Sequence, residues 1–384
     1  MSRQHTGARA IIAGSVLGLA AAQPVAAQSL NFASGYPADS ITAEALEVYA
    51  DRLQEYADGA LSARLFHLSL LNLEETSGGL RDGIADLGIV LTPYFPGEFP
   101  HMNMIAELSM LLETEGMDAE HPGPAFAGAM MEYVFFNCSS CREDFQSQNQ
   151  VFLGGASSPE YALLCTTPVT DAEAVEGKRL RVGGAQWARW ADAMGASPAS
   201  MSVNEINEGL SQGVVDCSVQ SAPELSVFQL FDVVEDITVG APGGVFAGVG
   251  SSNINADTWR GLDDQQREAL LRASAVLSAE FTWRYESEGL ENLERAEAEG
   301  ITVHEADGSL IEATQAFIGR DVDRIADSYA EDHGVADSHD RVEAFRPILE
   351  RWVELTAGLE DADALAELYW NELLSELDPA DYGL

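Results

Sequence analysis

Lysine is all but missing from this chain, Lys178 being the single one in 384 residues. Lysine and arginine together number 20 against 63 aspartates and glutamates, for a formal net charge of −43. That imbalance excludes nucleic acid as a partner, because phosphates would be repelled, and it excludes anionic membrane surfaces. Self-repulsion on this scale is tolerated best where salt screens it, within a Debye length of about 3 Å at 1 M, so a salt-loving or salt-tolerant source is expected. No internal period of about 20 to 50 residues recurs, which argues against a repeat architecture. Neither H-E-x-x-H nor a glycine-rich phosphate loop occurs, and no covalent chemistry is expected of any residue. Cysteine is scarce, with Cys138 and Cys141 in C-S-S-C and Cys165 and Cys217 alone. A second C-x-x-C or a histidine pair at ligand spacing is missing, so neither a metal nor a cofactor is expected.

The one long apolar run lies at the start. Arg3 and Arg9 precede apolar residues 10–22, and Val25-Ala26-Ala27 offers the small residues that a signal peptidase needs. The run is shorter than the roughly 20 residues of a spanning helix. Residues 1–27 therefore read as a signal peptide and the rest as an exported, periplasmic protein, with an uncleaved anchor as the alternative. In that compartment the four cysteines are expected to form disulfides, and three pairings are open. The 357 residues after the leader exceed what one hydrophobic core serves, so two lobes are expected.

Strand and helix patterns then alternate. Residues 30–33 read as a strand and 40–57 as a helix, with Ser40 its N-cap and Ala45, Leu46, Tyr49 and Leu53 on one face. A strand over 60–68, a helix over 74–83 and a strand over 87–91 complete a β-α-β-α-β start, the signature of an α/β fold. Ligands of such sheets sit beyond the carboxyl ends of the strands, which places Tyr94 and Phe95, just after the third strand, at a cleft. Residues 113–124 read as a surface loop, and helical character resumes over 125–136. From Trp259 to residue 298 the pattern is that of one nearly continuous helix, with Asp263 and Asp264 near its beginning.

The most distinctive stretch runs from G-K-R-L-R-V at 177–182 to G-V-V-D at 213–216. An arginine in the first segment, Arg181, can grip an anion or serve a surface ion pair. This succession resembles the solute-binding proteins of TRAP transporters, the tripartite ATP-independent periplasmic importers. L-N-F-A at 30–33 and G-L-R-D-G-I-A-D-L-G at 79–88 resemble the family's first strand and its second helix and strand. The resemblance implies a two-lobed periplasmic binding protein of type II-like architecture, with crossing strands and a long helix spanning both lobes. It implies lobe I from residues 28–157 with 246–285, and lobe II from 158–245 with 286–384. Cys165 and Cys217 then fall in one lobe, which favours the pairing 138–141 with 165–217.

The resemblance also implies the site. Arg181 would clamp the carboxylate of a small organic acid, and Gln220 stands where relatives carry an asparagine that bonds the same group. Tyr161 stands where many relatives carry a second arginine, so a monocarboxylate is expected rather than a dicarboxylate. Trp187 either stacks on the ligand or pairs with Trp190 in the core. Ser40 offers a hydroxyl to the far end of the ligand, although capping alone explains it. Lobe closure would present the ligand to the membrane permease subunits. The rivals are a periplasmic enzyme and a ligand-presenting sensor subunit acting on a carboxylate, the former with a possible metal cluster at His333 and His339.

Overall fold

The computed structural model describes residues 1–2, 27–114 and 117–384. The signal peptide expected over 1–27 thus lies almost wholly outside the described residues. Among these residues, twelve strands make two sheets of six. The first holds β1 (Gln28–Ala33), β2 (Leu61–Phe66), β3 (Leu87–Leu91), β4 (Gln150–Val151), β5 (Gly155–Ala156) and β11 (Val249–Asn255). The second holds β6 (Ala162–Cys165), β7 (Arg179–Val182), β8 (Ser197–Ser200), β9 (Cys217–Gln220), β10 (Asp236–Val239) and β12 (Thr302–Glu305). The chain therefore passes between sheets after β5 and returns between β10 and β11.

Local chemistry explains the opening unit. Ser40 accepts a hydrogen bond from the Ala43 amide and starts the helix Ile41–Tyr56, whose buried stripe includes Ala45, Leu46, Tyr49 and Leu53. β3 is L-G-I-V-L, buried at every position, as a central strand covered on both faces must be. β1 pairs parallel with β2 and with β3, so each connection crosses over through a helix, as the alternating pattern requires.

Two expectations of local structure are corrected. The run from Trp259 is broken: Ala256–Gly261 is a short helix, and a new one of 36 residues, Asp264–Glu299, begins after Asp263. Asp263 forms a reciprocal capping box with Gln266, and that cap satisfies amide donors that a continuous helix would have used internally. The segment expected as a loop over 113–124 is shorter, because Glu113 ends a 3-10 helix and Pro122–Glu132 is already helical.

The helix Asp264–Glu299, about 54 Å long at 1.5 Å per residue, touches both sheets' surroundings. It packs along Ile41–Tyr56 and Ala362–Glu372, with the Arg272 guanidinium over the Tyr56 and Trp370 rings and Arg284 paired with Glu44. Further on, Asn292 donates to the Ala222 carbonyl and the Arg295 guanidinium sits 3.9 Å over the Phe231 ring. Residues 286–384 were expected to go together with the second sheet. Beyond Ser338 they instead pack on first-sheet neighbours: Trp352 donates to Glu132, and Tyr382 meets the Phe152 carbonyl and the Phe135 ring. No described helix is long and apolar enough to cross a membrane.

Both disulfides form as Cys138–Cys141 and Cys165–Cys217. The second joins directly opposed residues of antiparallel β6 and β9, which tethers the strand bearing Gln220 to its neighbour.

Candidate functional site

Two arginines of β7 have opposite fates. Arg179, at the exposed start of the strand, pairs with Asp216 of the G-V-V-D turn through Nη2–Oδ1 at 2.5 Å and Nε–Oδ2 at 3.1 Å. The surface ion pair is therefore made by Arg179. Arg181, near the carboxyl end, is only 1% exposed, and no acidic side chain lies within 4.0 Å of its nitrogens among the described residues. A buried guanidinium without a counter-charge is costly, so the fold holds it by other means.

Its Nε donates to the Met201 carbonyl at 3.0 Å, Nη1 to Gln220 Oε1 at 2.9 Å, and Nη2 to the Tyr94 hydroxyl at 3.2 Å. A guanidinium has five N–H donors, so one on each terminal nitrogen is left for a second acceptor. Those two match the two oxygens of a carboxylate. Gly183 keeps the approach clear: a Cβ there would stand 3.3 Å from both terminal nitrogens.

Elements from all over the chain complete the cavity. Tyr94 enters from the turn after β3, Gln220 ends β9, Tyr161 precedes β6, and Phe281 and Tyr285 come from the 36-residue helix. Tyr36, Phe246 and Glu224 close it. The remaining space is about 20 Å³, room for roughly one water. Tyr94 and Phe246 also line an open cleft of about 440 Å³ that includes Gly183 and Ser202.

Arg181, Gln220, Tyr161 and Tyr94 thus meet around one cavity, whereas Trp187 and Ser40 do not line it. Trp187 is fully buried, its ring 4.0 Å from that of Tyr161 and its Nε1–H donated to the Gly243 carbonyl. It supports the cavity wall from behind. The Ser40 hydroxyl is engaged at its helix start, donating to the Pro37 carbonyl at 2.7 Å. Phe95 turns away to pack on Phe99.

Glu224 is the residue that the sequence reading missed. Burial pushes its carboxyl up to about 8, against the opposing pull of Arg181 and of the Gln220 amide. At neutral pH it is largely protonated, which leaves the Arg181 charge uncancelled. The only sequence signal for it was its place just past the carboxyl end of a strand.

Other chemistry finds no support. Gly209–Gly213 reads G-L-S-Q-G, which fits G-x-S-x-G, yet Ser211 is exposed at a helix end and donates to the Glu208 carbonyl. The strand-to-helix turn that raises a nucleophile is not there. His339 pairs with Asp327 while His333 stacks on Tyr329. No group of three or more metal-ligating side chains gathers among the described residues.

Comparison with known proteins adds the following. The model of bacterial extracellular solute-binding protein family 7 matches residues 32–328. A TRAP periplasmic solute-binding protein from Bordetella bronchiseptica with bound (R)- and (S)-mandelate superposes with a TM-score of 0.70 at 22% identity, covering 84% of this chain and 99% of that one. A marine metagenome TRAP solute-binding protein in complex with 3-hydroxybenzoate gives 0.71 at 18%, over 85% and 99%. One from Sulfitobacter sp. with bound β-D-galacturonate gives 0.64 at 18%, over 83% and 100%.

Proposed function

Because the chain belongs to family 7 of the bacterial extracellular solute-binding proteins, we propose that it is the receptor subunit of a TRAP transporter. It captures a small organic acid on Arg181 and delivers it to the membrane permease. The observation that carries this reading is the Arg181 guanidinium itself, 1% exposed, paired with no acid among the described residues and bonded on one side by Gln220 and Tyr94. In a molecule of net charge −43, long-range repulsion works against capture of an anion. The attraction must then act at short range, where water and salt screen it least.

The preferred ligand is a monocarboxylate. Tyr161 offers no second positive charge, and Glu224 would oppose a second carboxylate once ionised. Solved relatives with mandelate, 3-hydroxybenzoate or galacturonate support the organic-acid class.

Closure is the transporting event. The hinge lies in the two passages between sheets and in the helix Asp264–Glu299, and the ligand favours the closed form in proportion to its better contacts there. The closed form is what the permease recognises. The signal peptide and periplasmic location belong to the same reading, as does a saline habitat that screens the charge.

The test is a thermal-shift and calorimetric screen of organic acids in high salt. The best ligand of the parent is expected to give no shift with Arg181→Ala. Equal affinity in parent and variant would remove the clamp assignment.

A further inference from the structure

We infer that the acid held on Arg181 extends into the neighbouring cleft and carries hydroxyl groups there, as a sugar acid does, with the start of the helix Ala185–Ala193 and the side chains of Gln186 and Ser202 as their partners. This rests on the reading of Arg181 as the carboxylate clamp. Space decides where the body of the ligand goes. The cavity at the guanidinium measures about 20 Å³, room for roughly one water. The cleft beside it measures about 440 Å³ and shares Tyr94 and Phe246 with it, a size within the roughly 300–1,000 Å³ of small-molecule sites. An acid anchored on Arg181 therefore leaves past those two rings.

The polar groups of the cleft are unspent. Gly184 opens the helix without a side-chain cap, and the amides of Ala185 and Gln186 donate to no acceptor among the described residues. Free amides at a helix start attract acceptor oxygens. Gln186 is 4% exposed, Ser202 is 6% exposed, and both line the cleft. Neither side chain makes a hydrogen bond among the described residues, and a buried polar group left so is costly. A Cβ on Gly184 would stand 2.6 Å from Gln186 Oε1, which puts that carboxamide over the helix start. Ser202 follows Met201, whose carbonyl holds Arg181 Nε, so the serine stands next to the clamp.

The kind of group follows from what these partners need. Backbone amides only donate, whereas a carboxamide and a serine hydroxyl both donate and accept. A ligand hydroxyl does both as well and can satisfy all three. A second carboxylate only accepts, and it would meet the acidic side chains of Glu74 and Glu107 on the same lining. No basic side chain lines the cleft, and Arg189 is already held by Glu107 and Asp321. An alkyl chain would leave every one of these groups unpaired. Sites built to bond a ligand hydroxyl discriminate against the analogue that lacks it for that reason.

The experiment is isothermal calorimetry in high salt on the mature chain with D-gluconate, D-galacturonate, hexanoate, adipate and lactate. The first four share six carbons and differ in hydroxyls and in the second carboxylate, and lactate is too short to reach the helix start. One of the two sugar acids is expected to bind the parent roughly 10-fold or more tighter than hexanoate, adipate and lactate, the factor for about two neutral hydrogen bonds. Gln186→Met removes the carboxamide at similar length and is expected to weaken that sugar acid roughly 10-fold while changing lactate less than about 3-fold. Ser202→Ala is expected to act in the same direction.

Hexanoate, adipate or lactate binding the parent as tightly as both sugar acids overturns the inference, whatever the variants do. So does an unchanged sugar-acid affinity in folded Gln186→Met and Ser202→Ala. Failure of the clamp reading shows differently: Arg181→Ala then binds the acids as the parent does, or none of the five binds the parent.

Discussion

The Tyr94 hydroxyl stands 3.2 Å from Nη2 of Arg181, linking a turn that follows the first sheet to a strand of the second. The same oxygen accepts from the Val203 amide at 3.0 Å. One phenol thereby ties elements of the two sheets together at the edge of the cavity, and its removal tests the proposed closure.

Tyr94→Phe deletes that tie without changing the ring. It strands the buried Val203 amide and one Arg181 N–H, a loss of about 1–3 kcal/mol from the arrangement described above. Ligand affinity is expected to fall roughly 5- to 100-fold by calorimetry. X-ray scattering of the ligand-free variant is expected to show a larger radius of gyration than the parent. Unchanged affinity would mean that Tyr94 only fills space.

Glu224 carries part of the pH dependence, beside Glu160, whose carboxyl burial raises to about 7. The folded value of Glu224, about 8, lies above the ordinary 4.5, so between those limits the folded chain binds more protons than the unfolded one. Stability contributed by this group is therefore lost as pH rises from about 4.5 to 8 and levels off above that. The slope reaches about 1.4 kcal/mol per pH unit for a single group. Glu224→Gln is expected to remove this component, so that its stability relative to the parent climbs over the same interval in denaturant titrations. Parallel pH curves for the two proteins would reject the assignment.

Arg189 holds three elements together by charge. It pairs with Asp321 through Nε–Oδ1 at 2.7 Å and Nη2–Oδ2 at 2.8 Å, and with Glu107 through Nη1–Oε2 at 2.6 Å. The Tyr329 hydroxyl donates to the other Glu107 oxygen. Arg189→Ala leaves two largely buried carboxylates without their cation, and a loss of about 3–5 kcal/mol is expected in guanidinium unfolding. A loss below about 1 kcal/mol would class the network with exposed surface pairs.

The two disulfides differ in the loop they close. Cys165 and Cys217 are 52 residues apart and Cys138 and Cys141 only 3. Loop-closure entropy assigns about 4 kcal/mol to the first and about 2 to the second. Replacing Cys165 and Cys217 together by alanine is expected to cost more stability than replacing Cys138 and Cys141. The reverse order in parallel unfolding curves would contradict the entropic account.

Much of the fold was legible because its signals are local. Ser40 ahead of an apolar stripe announces a helix, and L-G-I-V-L announces a buried strand, since capping and burial act within a few residues of the signal. Arg181 stood out by its motif. The break at Asp263 was missed because both flanks are helical, and only the side-chain cap decides between one helix and two. Glu224, Tyr36, Phe281 and Tyr285 carry no local mark: nothing in S-A-P-E or in a helix rich in apolar positions says which residue will face an arginine some 40 to 145 positions away.

Residue order alone established an acidic, alternating α/β chain with an arginine on a strand, because hydrophobic period, caps and charge are properties of neighbours. Which arginine is exposed and paired, which is buried and free, and which carboxyl keeps its proton were settled only when strands from two sheets and one long helix converged. Burial and the field of distant groups set those properties, and both depend on the packing of the whole chain.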